Sequence, residues 1–492
     1  MNYRKLLLVL CVFPIFVIAQ SGDKADLTAA LDQLVQQQRN SHDIPGLAIG
    51  LIIDNEIVFA KGVGQQSLDG DDPLTTQSLF HMASVSKPFV ATAAMQLVEA
   101  NKLELDELLT TYLPYYKMAD KRYRKITIRQ LLTHTSGIPD VEDYDWGNPT
   151  MDDGAAERYA KSFVTSPLDF KPGKDYNYSN AAYDIMAAVI SKVSGMTFEE
   201  YMKQRIFIPA GMKHTTFFQP EVPAGLATAP HVVNNRLAVV TRAVYPYNRI
   251  HAPSSTLHSN VEDMLRWAQV QLNGGRIDGQ QLYSPASYRA LTTIQRELGD
   301  SWGICHGWFS SDFNGLQKLS HSGGDPGYRT YFAFLPERKA AIVMMGNSDL
   351  FPSSAAANFI LNRVLFGEEE AWKRPISIEL SKYILTEGIE KVKEVYYAKQ
   401  AKEADRYYFE NGQLDDLGYE LLERNHLQEA LDIFLFQVAL FPEEAGWHDS
   451  VGDGYQALGN TAKAIEWYRK ALAIDPKFDL SKGKLKALLK QQ

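Results

Sequence analysis

The apolar positions of this chain follow three different patterns, and the changes between them divide it. Residues 6–19 are almost wholly apolar, broken by Pro14 and preceded by the basic pair Arg4 and Lys5. A short basic region, an apolar block and the small Ala19 predict an export signal cleaved before Gln20. The block is short for a bilayer span, which needs about 20 apolar residues. Leu10, ahead of Cys11, is bulky where lipid attachment wants a small residue. The protein is therefore expected to be exported, periplasmic or secreted.

From about Ala25 to Gly367 the period alternates between two and 3.6 residues. Residues 47–53 and 56–61, joined by Asp54-Asn55, predict one hairpin, and residues 328–335 and 340–345 predict another. Helical stretches lie between them at 87–100, at 180–194 before Gly195, and at 261–272. The last follows Ser259, with Glu262 three residues on, which is the spacing of a capping box. Strands at both ends with helices between predict an α+β fold: one antiparallel sheet flanked by helices, with a large helical insertion.

Beyond that segment the chain repeats itself. Gly418 returns as Gly452, Ala430 as Ala464, Phe434 as Tyr468 and Pro442 as Pro476, each 34 residues later. This is the tetratricopeptide period, in which small residues admit a close helix pair and proline ends the second helix. Leu421 departs from it where the second copy has Tyr455. Two copies fall short of the roughly three that stand alone, so they are expected to lean on the helical stretch at 389–397 or on the first domain. The expected division is a signal at 1–19, an enzyme domain at 20–370, a helical linker at 371–410 and all-α repeats at 411–492. A protein partner on the repeats and a merely packed appendage both fit this pattern.

Composition narrows the function classes. The 492 residues allow two or three folding units, and 45% hydrophobic with 22% charged residues excludes disorder and a multi-span membrane protein. Fifty Lys and Arg against 59 Asp and Glu give a net charge of −9, with no basic run to attract nucleic acid or an anionic membrane. Loss of Cys11 with the signal leaves Cys305 alone, so no internal disulfide is possible. The 11 histidines show no metal-ligand spacing, so neither a metal nor an organic cofactor is expected.

Three separated motifs carry candidate chemistry. Ser84 and Lys87 stand three apart at the start of an apolar helix, where they share a face. The positive helix end favours a developing anion at Ser84, and burial beside it lowers the pKa of Lys87 toward that of a base. Taken alone, the same four residues also read as a serine-rich cap before a solvated lysine. Tyr178 and Asn180, before the helix at 180–194, can relay a proton and orient a substrate carbonyl, although both also suit an ordinary helix entry. His321, Gly323 and Gly324 follow a short strand-like stretch at 316–319, where glycines beside a strand let a ligand approach the backbone, although a loop histidine and a glycine bulge also fit. An N–H there, facing that of Ser84, would make a two-donor oxyanion hole.

The order Ser-x-x-Lys, Tyr-x-Asn, His-x-Gly resembles the serine β-lactamase and penicillin-binding protein superfamily, and its class C β-lactamase-like branch most of all. Residues 44–46, 131–139, 261–264 and 327–347 are similar to stretches of that branch, so the resemblance covers about Ala25 to Gly367. It implies an acyl-enzyme hydrolase of amides or esters: a D-alanyl-D-alanine carboxypeptidase, a D-aminopeptidase, a β-lactamase-related enzyme or an esterase. It implies Ser84 as the nucleophile, with Lys87 and Tyr178 sharing proton transfer and the choice of base left open. Asn180 would contact the substrate amide, His321 and Gly323 would bind its carboxylate side, and the N–H groups of Ser84 and Gly324 would form the oxyanion hole. His134 resembles a structural position only. His321 stands where class C enzymes carry lysine, and a histidine cation would lose carboxylate binding as pH rises through its pKa. The rival expectation is a non-catalytic scaffold that binds peptidoglycan fragments.

Overall fold

The computed structural model describes residues 21–410 and 412–490, so the expected export signal lies outside the described residues. Eight strands form one antiparallel sheet: β1 Gly46–Ile53, β2 Glu56–Gly64, β3 Arg296–Gly299, β4 Trp302–Ile304, β5 Phe309–Phe313, β6 Leu316–Asp325, β7 Tyr328–Leu335 and β8 Ala340–Gly346. Their order is β2-β1-β8-β7-β6-β5-β4-β3, which sets the two predicted hairpins side by side at one end of the sheet. Leu47 pairs with Gly346 and Ile52 with Ala341 along the β1–β8 seam.

Alternation explains why these strands read as unbroken apolar runs. Leu47, Ile49, Leu51 and Ile53 of β1 face one way, with Tyr331, Ala333, Ile342 and Met344. Ala48 and Ile52 face the other, with Phe332, Phe334, Val343 and Met345. Both faces are covered, so both sets must be apolar. The chain contains, in order, the helices α1 Ser21–Ser41, α2 Lys87–Glu99, α3 Asn180–Ser194, α4 Val261–Leu272 and α5 Ser353–Phe366. Helices α1 and α5 cover the first face, and α2, α3 and α4 belong to the core on the second.

Two local expectations change. The motif at His321 is not in a loop, because β6 runs on through it to Asp325. Helix α4 is capped by Asn260, whose side chain accepts from the Asp263 N–H. Ser259 is instead part of a short strand and shares a hydrogen bond of 2.8 Å with Thr215.

The segment after the sheet is a packed body rather than a tether. Helices α6 Ile376–Ile384 and α7 Gly388–Lys402 precede the repeat helices α8 Gly412–Glu423, α9 Leu427–Leu440, α10 Ala445–Ala457 and α11 Thr461–Ile474, and α12 Asp479–Leu489 closes the stack. Leu380, Val392 and Tyr396 share a core with Leu417, Leu421 and Phe434, so the repeats lean on the helices before them. The recurring glycine has a steric cause. A Cβ at Gly418 would sit 2.2 Å from the Phe434 ring, and one at Gly452 would sit 2.4 Å from the Tyr468 ring. Arg424, just after α8, donates to the carbonyls of Val233 and Asn234 at 3.1 Å each, which ties the repeats to a short hairpin of the first domain. Among the described residues no helix is long and apolar enough to cross a membrane.

Candidate active site

Ser84 sits in a single 3-10 turn, Ala83–Ser86, that runs directly into α2. The turn is fixed from outside. Met82 donates to the Leu257 carbonyl at 2.7 Å, and Thr330 of β7 donates to the Met82 carbonyl at 2.8 Å. Ser86 donates to the Ala83 carbonyl at 2.6 Å and accepts from the Leu257 N–H at 3.0 Å. Held this way, Ala83 adopts a φ of 48°, a conformation that costs an L-residue roughly 1–3 kcal/mol and that surrounding structure must impose. Gly323 of β6 makes room for the turn: a Cβ there would lie 2.2 Å from the Met82 carbonyl oxygen. This contact between chain segments requires a glycine.

The turn carries Lys87 into the interior, where its side chain is wholly buried. The ammonium nitrogen donates to Ser84 Oγ at 2.8 Å, Asn180 Oδ1 at 2.7 Å and the Ser254 carbonyl at 2.8 Å. All three acceptors are uncharged. Burial therefore prevails over the more distant attraction of Asp184, Asp325 and Asp140, and the amine pKa falls to about 7.

Two of the acceptors, Asn180 and Ser254, are oriented by a carboxylate behind them. Asp140 accepts from the Asn180 backbone N–H at 2.6 Å and from its Nδ2 at 3.2 Å, which turns Oδ1 toward Lys87. Asp184, on α3, accepts from the Ser254 N–H at 3.2 Å and from His251 Nδ1 at 2.7 Å, both buried. At the end of β6, Asp325 accepts from buried His81 at 2.7 Å and from the Ser255 hydroxyl. No spacing in the sequence singles out Asp140, Asp184, His251, Ser254 or Asp325.

Tyr178 completes the group. The Lys87 nitrogen lies 4.9 Å from its ring centre, and His134 stacks on that ring at 4.2 Å. His134 is thus part of the site wall, with Nδ1 accepting from the Ser179 N–H at 3.1 Å. Burial raises the Tyr178 phenol well above its ordinary value, opposed in part by a hydrogen bond with Ser84.

His321 corrects the expectation of a cation. It is buried, its Nδ1–H donates to the Ser322 carbonyl at 2.7 Å, and burial beside Lys87 pulls its pKa down to about 3. The ring is neutral at physiological pH, and its buried Nε2 has no partner. It meets Phe309 at 5.4 Å and Tyr178 at 6.4 Å between ring centres. β5 pairs with β6 only as far as Ser320, so residues 321–325 have β7 on one side and the Ser84 turn near the other. The structure thus brings Ser84, Lys87, Tyr178, Asn180, His321 and Gly323 together, with Gly324 beside them on the same strand. Among the described residues no group of three or more His, Cys, Asp or Glu side chains is arranged to hold a metal ion.

A family model described as Beta-lactamase matches residues 31–365, and one described as Tetratricopeptide repeat matches residues 445–478. Penicillin-binding protein 4 of Amycolatopsis lactamdurans is 26% identical over 363 residues, covering 68% of this chain and 89% of that protein. Protein flp of Staphylococcus aureus strain MW2 is 25% identical over 331 residues, covering 65% of this chain, and the chain spans 63% of that relative's length. In fold, the chain is similar to the octameric penicillin-binding protein homologue from Pyrococcus abyssi, with a TM-score of 0.61, 24% identity, and coverage of 73% of this chain and 81% of that one. It is also similar to the penicillin-binding protein from Bacillus halodurans, with a TM-score of 0.57, 25% identity, and coverage of 68% and 98% respectively.

Proposed function

The chain belongs to the beta-lactamase family, and from that premise we propose that it is an exported serine hydrolase that cleaves amide or ester bonds through an acyl-enzyme. The observation that carries the proposal is Lys87, wholly buried, 2.8 Å from Ser84 Oγ and bonded to uncharged acceptors alone. An amine with a pKa near 7 is about half unprotonated at neutral pH, as a base for a serine needs to be in part. The raised phenol of Tyr178 stays protonated there, which supports Lys87 as the base and Tyr178 as the proton carrier.

In this mechanism Ser84 Oγ attacks the carbonyl carbon while its proton passes to Lys87. The oxyanion forms against the N–H groups of Ser84 and Gly324, an arrangement whose removal typically costs a few kcal/mol of barrier. The leaving amine or alcohol takes the Tyr178 proton, and Tyr178 recovers one from the Lys87 ammonium. Water then attacks the acyl carbon while Lys87 takes its proton, and Lys87 returns that proton to Ser84 Oγ as the acid is released.

Neutral His321 offers no cation on the leaving side, which favours uncharged esters and amides over D-alanyl-D-alanine-type peptides or β-lactams, whose leaving side carries a carboxylate. The apolar block at residues 6–19 supports export, and the repeats support a protein or peptide partner. The test is covalent labelling by a fluorophosphonate. The wild-type protein should be marked at Ser84 and Ser84→Ala should not, whereas labelling that persists in the variant removes the nucleophile assignment. Rates on p-nitrophenyl esters, nitrocefin and D-amino-acid amides then assign the bond type.

A further inference from the structure

With His321 neutral, the third motif offers no charge to an anionic substrate, yet a cation does stand at the other end of the same strand edge. Arg242 follows the short strand Val239–Thr241, and its N–H donates to the Pro230 carbonyl at 2.8 Å. Pro230 lies against the β6–β7 turn: a Cβ on Gly327 would sit 2.4 Å from the Pro230 Cβ. Arg242 is thereby placed just beyond Asp325, where the edge that begins at His321 runs out.

Its guanidinium lies on an aromatic chain that leads back to the His251–Asp184 pair. The Arg242 Cζ lies 5.5 Å from the centre of the Trp146 ring. Trp146 stacks on Tyr144 at 4.8 Å, and Tyr144 meets His251 at 4.6 Å, the histidine bound to Asp184. The nearby carboxylates have other partners. Asp325 is taken by His81 and Ser255, and Asp349 accepts from Gly327 N–H at 2.9 Å and Arg329 at 3.0 Å. Arg242 Nη1 is left buried with no hydrogen-bond partner. A preoriented donor fork with an unsatisfied buried arm, beside a cleft, is suited to an anion.

The proton carriers fix which half of a substrate reaches it. Tyr178 lies at the His321 end, so the leaving group must lie there, and the acyl portion extends the other way along β6. From Gly324 to the turn is about three residues, or roughly 10 Å of extended chain. We propose that Arg242, braced by Trp146, is the specificity-determining residue for a carboxylate carried on the acyl portion, about two residues beyond the scissile carbonyl. The proposal rests on the hydrolase reading and names its substrate class: an acyl donor with an acidic group on the acyl side.

The test separates the two. Equilibrium binding to full-length Ser84→Ala is measured for two probes, glutaryl-D-alanine p-nitroanilide and its counterpart with the glutaryl carboxylate converted to carboxamide. The carboxylate probe should bind about tenfold tighter, the ratio should shrink toward one as salt is raised from 50 to 500 mM, and Arg242→Gln added to Ser84→Ala should abolish the preference. Arg242→Lys should restore only part of it, because an ammonium lacks the planar fork. Equal affinities, no measurable binding of either probe, or a preference that survives Arg242→Gln would overturn the proposal. The salt dependence decides the matter even where the double variant does not fold. Labelling of wild-type Ser84 by a fluorophosphonate reports on the hydrolase reading independently.

Discussion

Lys87 in the cleft and Lys484 in the repeats are built from the same material and do opposite work. Lys484 of α12 donates to Asp449 Oδ2 and Asp453 Oδ2 at 2.6 Å each, bridging one repeat to the closing helix. Burial depresses that amine, but the two bonded carboxylates outweigh it and hold its pKa above the ordinary value. Lys87 is buried more deeply and accepts the help of no carboxylate directly. Its carboxylates act one residue removed, through Asn180 and Ser254, and its pKa falls to about 7. Charged acceptors make a buried lysine a permanent cation and a structural staple. Neutral acceptors lower its pKa toward neutrality, as the proposed base requires.

The sharpest way to break this comparison is at its reacting end. Ser84→Ala should lower turnover by about three orders of magnitude or more, measured as kcat on a p-nitrophenyl ester. Lys87→Met removes the base while keeping the bulk, and should cost about 10²- to 10⁴-fold in kcat/KM. The same comparison predicts a pH profile. Only the unprotonated amine acts, so kcat/KM should rise as pH increases through about 7 and then level off, and His321 should add no inflection between pH 5 and 8.

A smaller effect tests the action at one remove. Asp184 is the largest charge raising the Lys87 pKa, so Asp184→Asn should lower that pKa further and move the acid limb to lower pH. A melting curve on the same variant separates this from loss of fold, and a limb displaced upward would contradict the electrostatic account. Smallest in activity is the staple. Lys484→Met leaves Asp449 and Asp453 without their cation and should destabilise the repeats by about 2 kcal/mol, read by urea unfolding, with turnover unchanged. A change in kcat there would mean that the repeats reach into the cleft.

Local pattern carried the parts that depend on local pattern. The hairpins, α2, α3 and α4 fall within a few residues of the periodic runs, because an apolar face and a turn are short-range properties. Ser84 and Lys87 are neighbours because three residues in a helical turn share a face. What was illegible came from long range. Asp140, Asp184, His251 and Ser254 reach the site from three segments that no motif joins. The charge of His321 is set by Phe309, Lys87 and the Ser322 carbonyl, not by its identity. Residues 371–410 read as a linker because their apolar face has no partner until the repeats pack on it. Ser259 read as a cap because the strand that claims it lies far away along the chain.

The central claim, that neutral acceptors bring the Lys87 pKa down to about 7, is tested most directly by the rate at which a fluorophosphonate acylates Ser84 between pH 5 and 10. A single limb rising to a plateau, with a midpoint near pH 7, is the predicted result. A midpoint at or above about 9, near the ordinary value for a lysine, would contradict it.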